Sequence, residues 1–135
     1  MEFSMISAVL FVKDLQRVAA FYAGALGMTC RFSDEYHSVM NCAGFDLIVH
    51  QIPRHIADGI TIENPPQRRV WGATRLDYPV PNIAASRRMA QSLGGGIDDA
   101  PPEWAEPNTN FFLGHDPEGN QFGVSERAPT NAASN

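Results

Sequence analysis

The order of apolar and polar positions divides the chain into two halves with the same layout. Residues 5–12 form an apolar run typical of a buried strand. Asp14 follows as a candidate helix cap, because its carboxylate can accept hydrogen bonds from the free amides of a first helical turn. Apolar residues then recur at helical spacing up to Leu26. Gly27 supplies the left-handed residue that ends a helix, so the pattern predicts a strand and then a helix.

Three short strands are predicted next, from the segments MTCRFS, HSVMNCA and FDLIVHQI. The second half repeats the order: a strand in ATRLDYPV, a cap at Asn82, a helix after it, and strands in TNFFLGH and NQFGVSE joined by the turn DPEGN. We place the remaining strand in IDDAPPEWAEPN and expect it to be short and irregular, since proline cannot donate to a strand ladder. Each half is therefore predicted as strand, helix and three strands.

A chain of 135 residues fits one domain with a substantial core. We predict a single domain over residues 1–127, with a first module at about 5–52, a linker at 53–69 and a second module at about 70–127. The remaining residues, 128–135, are small and polar and are predicted to form a disordered tail.

Composition and charge exclude several classes of partner. A net charge of −5 argues against nucleic acid, because phosphate binding needs a basic face. The first apolar run is too short to span a membrane and lacks the features of a signal peptide. The two cysteines, Cys30 and Cys42, have no metal-type spacing. We therefore expect reduced thiols in a cytoplasmic protein with no membrane or nucleic-acid partner.

Two stretches carry a resemblance to a known family: VLFVKDLQRVAAFYAGALGM at residues 9–28 and DPEGN at residues 116–120. Together they resemble the vicinal oxygen chelate superfamily, which includes glyoxalases, bleomycin-resistance proteins, fosfomycin-resistance enzymes and extradiol dioxygenases. The resemblance covers roughly residues 5–127. It implies an α+β fold in which two βαβββ modules form an open, cup-shaped, eight-stranded mixed β-sheet (the glyoxalase/bleomycin resistance/dioxygenase fold). It also implies a homodimer and a ligand site inside the cup.

Metal-dependent members of this superfamily place one ligand on the first strand of each module and one on the last, and these ligands are His, Gln or Glu. Carried over position by position, the four places fall on Ser7, Ile48, Arg75 and Gly123. None is a competent ligand of the usual kind, and Arg75 is a permanent cation that would repel a metal ion. We therefore expect no metal and no other cofactor. A divalent metal held by other residues remains the alternative.

Strand alternation predicts which side chains line the cup, since successive residues point to opposite faces. The positions that we assign to ligand binding on this basis are Ser7, His50, Arg75, Asp77, Gln121, Gly123 and Ser125. Trp104, in the loop APPEWAEPN, joins them because an aromatic side chain over the mouth of the cup can stack on a flat ligand.

Three of these positions have two interpretations each. Arg75 either forms a structural salt bridge with Asp77 or binds an anionic group of the ligand. Gly123 either deepens the cup or relieves crowding in a curved strand. His50 is a candidate general acid or base, or a hydrogen-bonded wall residue. His37 shares a face with Val39 and Asn41 that can also point inward.

The function expected from this set is binding of a small organic molecule, partly anionic or aromatic, in a homodimeric cup without metal. One alternative is a metal-dependent lyase, transferase or dioxygenase. A second alternative is a metal-free enzyme that uses His50 and Arg75 for proton transfer on a carbonyl compound.

Overall fold

The computed structural model describes residues 6–126, so the predicted tail at 128–135 lies outside the described residues. The elements in chain order are β1 (Ser7–Val12), α1 (Leu15–Leu26), β2 (Thr29–Ser33), β3 (His37–Cys42), β4 (Phe45–Gln51), α2 (Arg54–Ala57), β5 (Leu76–Val80), α3 (Ile83–Ser92), β6 (Gly96–Ile97), β7 (Phe111–His115) and β8 (Gln121–Glu126).

The strands form two four-stranded mixed sheets with matching topology. The first sheet (sheet 1) has the order β1-β4-β3-β2 and the second (sheet 2) has the order β5-β8-β7-β6. In each sheet the first and last strands of the module pair in parallel, and the other pairs are antiparallel. The predicted α+β fold of two βαβββ modules is confirmed, and both sheets are open.

Two local predictions differ from the structure. The sixth strand consists of Gly96–Ile97 alone, so it begins before the segment in which it was expected and covers only its first residue. The prolines that follow cannot donate to a ladder and leave the rest as loop. The linker, predicted without secondary structure, contains the one-turn helix α2.

Both long helices are capped as the sequence predicts. The Asp14 side chain accepts a hydrogen bond from the Arg17 amide, and the Asn82 side chain accepts one from the Ala85 amide. Gly27 has a φ of 69° at the end of α1, in the left-handed region that glycine adopts without strain.

Each module also ties the start of its helix to the end of its last strand. The Leu15 amide donates to the Gln51 side chain at 3.0 Å, and the Ile83 amide donates to the Glu126 side chain at 2.9 Å. The two modules therefore use an equivalent contact, which satisfies a first-turn amide that has no partner within the helix.

The helix-facing sides of the two sheets share one hydrophobic core. Val12, Val49 and Val124, each fully buried, lie on the strand faces that alternation assigns to the helices. Helices α1 and α3 contact each other between the modules. Phe21 of α1 packs 5.9 Å from Phe122 of β8, ring centroid to ring centroid, so aromatic side chains cross the boundary between the modules.

The DPEGN turn joins β7 to β8 and also contacts α1. Asp116 accepts hydrogen bonds from the amides of Glu118 and Asn120, at 2.9 and 3.0 Å, and Gly119 has a φ of 86°. The Tyr22 hydroxyl donates to the Asp116 carboxylate at 2.9 Å. Burial raises the pKa of both Tyr22 and Asp116.

Glu118, from the same turn, caps the chain where it enters α1. Its carboxylate accepts hydrogen bonds from the Lys13 amide at 2.8 Å and from the Asp14 amide at 2.7 Å, and the residue is only 7% exposed. The two motifs behind the family resemblance are therefore in direct contact across the fold.

Replacing Glu118 with alanine should destabilise the protein, because two amides then lose a charged acceptor in a site with little access to water. We expect a loss of about 2–4 kcal/mol in the free energy of unfolding, and a smaller loss for Glu118→Gln, which retains one acceptor. Denaturant unfolding of each variant measures its loss in the free energy of unfolding. The control is Glu103→Ala at an exposed position, and equal stability of the two alanine variants would contradict the assigned role.

Candidate functional site

The face of each sheet that points away from the helices is here called its open face. Val9 and Phe11 lie on the open face of sheet 1 and are 48% and 62% exposed. A single chain therefore leaves this surface accessible and does not enclose it.

Four predicted site residues meet on the open face of sheet 2: Arg75, Asp77, Trp104 and Gly123. Together with Phe111 they form what we call the Arg75 corner. Arg75 directly precedes β5 and pairs with Asp77 through two hydrogen bonds, of 2.8 and 3.0 Å. This bidentate geometry is the strong form of an arginine–carboxylate contact. The ion pair expected as one interpretation of these residues is present.

Two aromatic rings flank the Arg75 guanidinium. Its carbon lies 5.2 Å from the Trp104 ring centroid and 5.3 Å from the Phe111 ring centroid, within the range of cation–π attraction. The two rings are 5.7 Å apart, centroid to centroid. Trp104 is 64% exposed, so much of its indole remains available for stacking.

Gly123 lies beneath this group. A Cβ atom at this position would clash with the Asp77 carboxylate and would come within 2.6 Å of the Phe111 ring. Neighbouring side chains therefore fill the space that a side chain at position 123 would need. This agrees with the interpretation that Gly123 relieves crowding in a curved strand.

On the open face of sheet 1, a second bidentate ion pair covers a buried carboxylate. Asp46 is fully buried and accepts hydrogen bonds from Arg31 at 3.1 and 2.6 Å and from Asn41 at 3.0 Å. Hydrogen bonding from Arg31 lowers the pKa of Asp46. Arg31 lies at an irregularity in the β2–β3 pairing. From there its guanidinium reaches Asp46, and the ion pair neutralises its charge.

His50 packs against a second histidine on the same open face. His37 and His50 are opposite residues on β3 and β4, with ring centroids 4.4 Å apart, and Phe11 lies 5.3 Å from His50. His50 Nδ1 lies 2.8 Å from the Gln51 carbonyl oxygen, so we assign the proton to Nδ1. Nε2 then remains an acceptor, as a general base requires.

The other predicted site residues lie apart from the Arg75 corner. Ser7 is exposed at the start of β1. The Gln121 side chain accepts from Arg68 Nε at 2.8 Å and donates to the Val70 carbonyl at 3.3 Å, so both ends of its amide are already engaged. Ser125 lines a groove along β5 that also includes Asp77.

Sequence reasoning missed Phe111 and Arg31. Phe111 lies opposite Ser125 in the β7–β8 pairing, so the alternation that assigned Ser125 to the open face also identifies Phe111 once the pairing is known. Arg31 carries no comparable signal, because its direction depends on the irregular pairing of β2.

The four positions that the family resemblance assigns to metal ligands do not carry donors that fit a metal ion. They carry a hydroxyl, an aliphatic chain, a guanidinium and a hydrogen atom in place of imidazole, amide or carboxylate donors. Within residues 6–126, no group of three or more His, Cys, Asp and Glu side chains is arranged to hold a metal ion.

Comparison with known proteins agrees with this architecture. A family model described as a glyoxalase-like domain matches residues 7–125. The chain belongs to the glyoxalase-like domain family. The resemblance to the vicinal oxygen chelate superfamily is thereby confirmed. No curated protein matches this glyoxalase-like domain at a significant level.

Solved structures similar to this glyoxalase-like domain share its fold at low sequence identity. A glyoxalase-related enzyme from Fulvimarina pelagi is 19% identical with a TM-score of 0.64, over 92% of this chain and 88% of that one. A glyoxalase/bleomycin resistance protein from Albidiferax ferrireducens is 15% identical with a TM-score of 0.62, over 91% and 98%. A fosfomycin resistance protein from Listeria monocytogenes is 12% identical with a TM-score of 0.64, over 96% and 94%.

Within residues 6–126, no helix of this glyoxalase-like domain is long and apolar enough to cross a bilayer.

Replacing Gly123 with alanine should destabilise this glyoxalase-like domain by about 1–3 kcal/mol, because the added methyl group overpacks the space between Asp77 and Phe111. Thermal or denaturant unfolding measures the change. Gly59→Ala is the matched control, since its Cβ would come no closer than 3.5 Å to a neighbouring atom. We expect that variant to be neutral or slightly stabilised. A Gly123→Ala variant as stable as the control would contradict this prediction, because the corner would then accommodate the added methyl group.

Proposed function

We propose that this glyoxalase-like domain binds a small, flat organic molecule at the Arg75 corner without using a metal ion. The observation that carries the proposal is the exposed Trp104 indole, positioned beside Arg75 and Phe111. An indole fixed beside a guanidinium offers a rigid stacking surface at low entropic cost.

The charge of the corner favours an aromatic ligand over a strongly anionic one. Asp77 engages two nitrogens of the Arg75 guanidinium, so the positive charge is largely neutralised. The third nitrogen, Nη1, is outside that pair and can donate to a carbonyl or carboxylate oxygen of the ligand. The expected ligand is therefore aromatic and at most partly anionic.

Metal independence is part of the proposal and is supported by the donor set. Ser7, Ile48, Arg75 and Gly123 offer no imidazole, amide or carboxylate, and a permanent cation at one place opposes a divalent ion. The alternative of a metal-dependent lyase, transferase or dioxygenase requires ligands at other positions.

We further propose that the protein is a homodimer in which a second copy covers the open face of sheet 1. Apolar side chains are exposed together there, among them Val9, Phe11 and Phe32 at 48%, 62% and 43%. Such a patch on a small domain marks an interaction surface. A cytoplasmic location is supported by Cys30 and Cys42, which are not disulfide-bonded.

The metal-free enzyme remains a weaker alternative. His50 presents Nε2 as an acceptor beside His37, which suits proton transfer. However, Arg75 directly precedes β5 of sheet 2 and is paired with Asp77, whereas His50 belongs to sheet 1. The two residues would act together only if a second copy brought the two open faces into opposition.

Binding of anilinonaphthalenesulfonate, a flat aromatic dye with one negative charge, tests the proposed site. We expect saturable fluorescence enhancement that Trp104→Ala weakens by about tenfold or more, because the stacking surface is lost. The control is Trp71→Ala, which removes the other tryptophan, 95% exposed, and should leave the affinity unchanged. Binding should persist after chelator treatment.

Two outcomes would contradict the proposal. Equal affinities of Trp104→Ala and Trp71→Ala would show that the dye binds elsewhere. Loss of binding on chelation, with recovery on adding back a divalent metal, would favour the metal-dependent alternative.

Light scattering tests the proposed dimer. We expect twice the mass of one chain for the wild type and dissociation for Phe11→Glu, because a carboxylate in an apolar interface is left without a partner. Trp71→Glu is the control at another exposed aromatic residue and should remain dimeric. A monomeric wild type would refute the proposed interface.

A further inference from the structure

A cleft between the two modules is lined by side chains from the helix-facing sides of both sheets and by the segment that leads into β5. It has a volume of about 190 Å³. Leu10 and Leu47 of the first module line one wall, and Leu76 of the second module lines another. All three occupy strand positions that alternate with the open-face positions, so this cleft is separate from the Arg75 corner.

Three aromatic rings from both modules form the floor of the cleft. Tyr22, Tyr78 and Phe122 line it, and their ring centroids are 6.2 to 6.4 Å apart in edge-on arrangements. Aromatic rings prefer such edge-to-face packing, and a further flat ring can join the group in the same way. The floor is thus suited to one aromatic ring of a ligand.

The mouth of the cleft carries a positive charge without a counter-ion. Arg69 lines the cleft and is exposed, and within residues 6–126 its guanidinium has no ion pair or hydrogen bond. Its neighbour Arg68 is different, because it forms a bidentate pair with Asp98 at 2.8 and 3.0 Å. Arg69 is therefore free to bind an anionic group with its fork of donors.

We propose that this inter-module cleft binds a single-ring aromatic carboxylate, with the ring against the aromatic floor and the carboxylate on Arg69. The volume limits the ligand to that size, since an apolar cavity of about 150 Å³ already accommodates benzene, whereas cavities for drug-sized ligands start at about 300 Å³. The buried carboxylate of Asp116, hydrogen-bonded to Tyr22 beneath the floor, disfavours an anion at depth and so orients the ligand with its charge outward.

A titration with sodium benzoate, followed by NMR of methyl-labelled protein, tests the proposal directly. Ring currents from bound benzoate should shift the methyl resonances of Leu10, Leu47 and Leu76 in a saturable way. The methyl groups of Val9 and Ile48, on the open face of sheet 1, should not move. Sodium chloride at equal ionic strength controls for salt, and a one-ring ligand is expected to bind in the millimolar range.

Variants at the two neighbouring arginines separate the carboxylate contact from general charge effects. Arg69→Gln should weaken benzoate binding by about tenfold, since a hydrogen-bonded ion pair is lost. Arg68→Gln removes the same charge from a residue already paired with Asp98 and should change the affinity little. Benzamide, the neutral analogue, should bind the wild type about as weakly as benzoate binds Arg69→Gln.

The possible results are distinct from those of the proposed function. Benzoate shifts confined to Val9 and Ile48, or to residues around Trp104, would overturn the cleft proposal while leaving the Arg75 corner as the binding site. No saturable shift, or equal affinities for Arg69→Gln and Arg68→Gln, would also overturn it. Saturable shifts at the cleft with an intact dye site would establish two separate sites.

Discussion

The fold depends on a contact between one turn and the start of one helix. Asp116 holds the DPEGN turn closed through its own backbone and receives the Tyr22 hydroxyl of α1. Glu118 accepts two amides where the chain enters that helix. Because α1 belongs to the first module and the turn to the second, these carboxylates orient the modules relative to each other. They also bring two motifs that are distant in sequence into direct contact.

The chemistry of the open faces is limited by the pairing of their arginines. Arg31 is engaged by Asp46, and Arg75 by Asp77, each through two hydrogen bonds. A guanidinium held in this way contributes little net field, and residues 6–126 offer no donor set suited to a divalent ion. The surface that remains is aromatic, with Trp104 as its most accessible member. We therefore expect stacking, more than charge, to select the ligand proposed for this site.

The two candidate sites differ because they lie on opposite sides of the same strands. The Arg75 corner is on an open face, where its cation is neutralised and its aromatic surface is exposed. The inter-module cleft is on the helix-facing side, where the aromatic rings are buried and Arg69 is unpaired among the described residues. Each strand thus contributes alternate residues to two different surfaces.

Local patterns in the sequence were sufficient for the module order, the helix caps at Asp14 and Asn82, and the faces of the strands. These features depend on neighbours within a few residues, so periodicity and capping chemistry determine them. Through the family resemblance, the sequence also predicted which residue types occupy the family's metal positions. It left open whether Arg75 was paired and whether the space at Gly123 was empty. Both depend on contacts with other parts of the chain, in particular with Phe111.

Only the tertiary structure decided those questions, because they concern distances between residues far apart in sequence. It showed that the Asp77 carboxylate neutralises Arg75 and, with the Phe111 ring, fills the space above Gly123. It also showed that the predicted strands lie in two open sheets with a cleft between the modules. Sequence periodicity determines which way a side chain points, whereas packing determines what it meets.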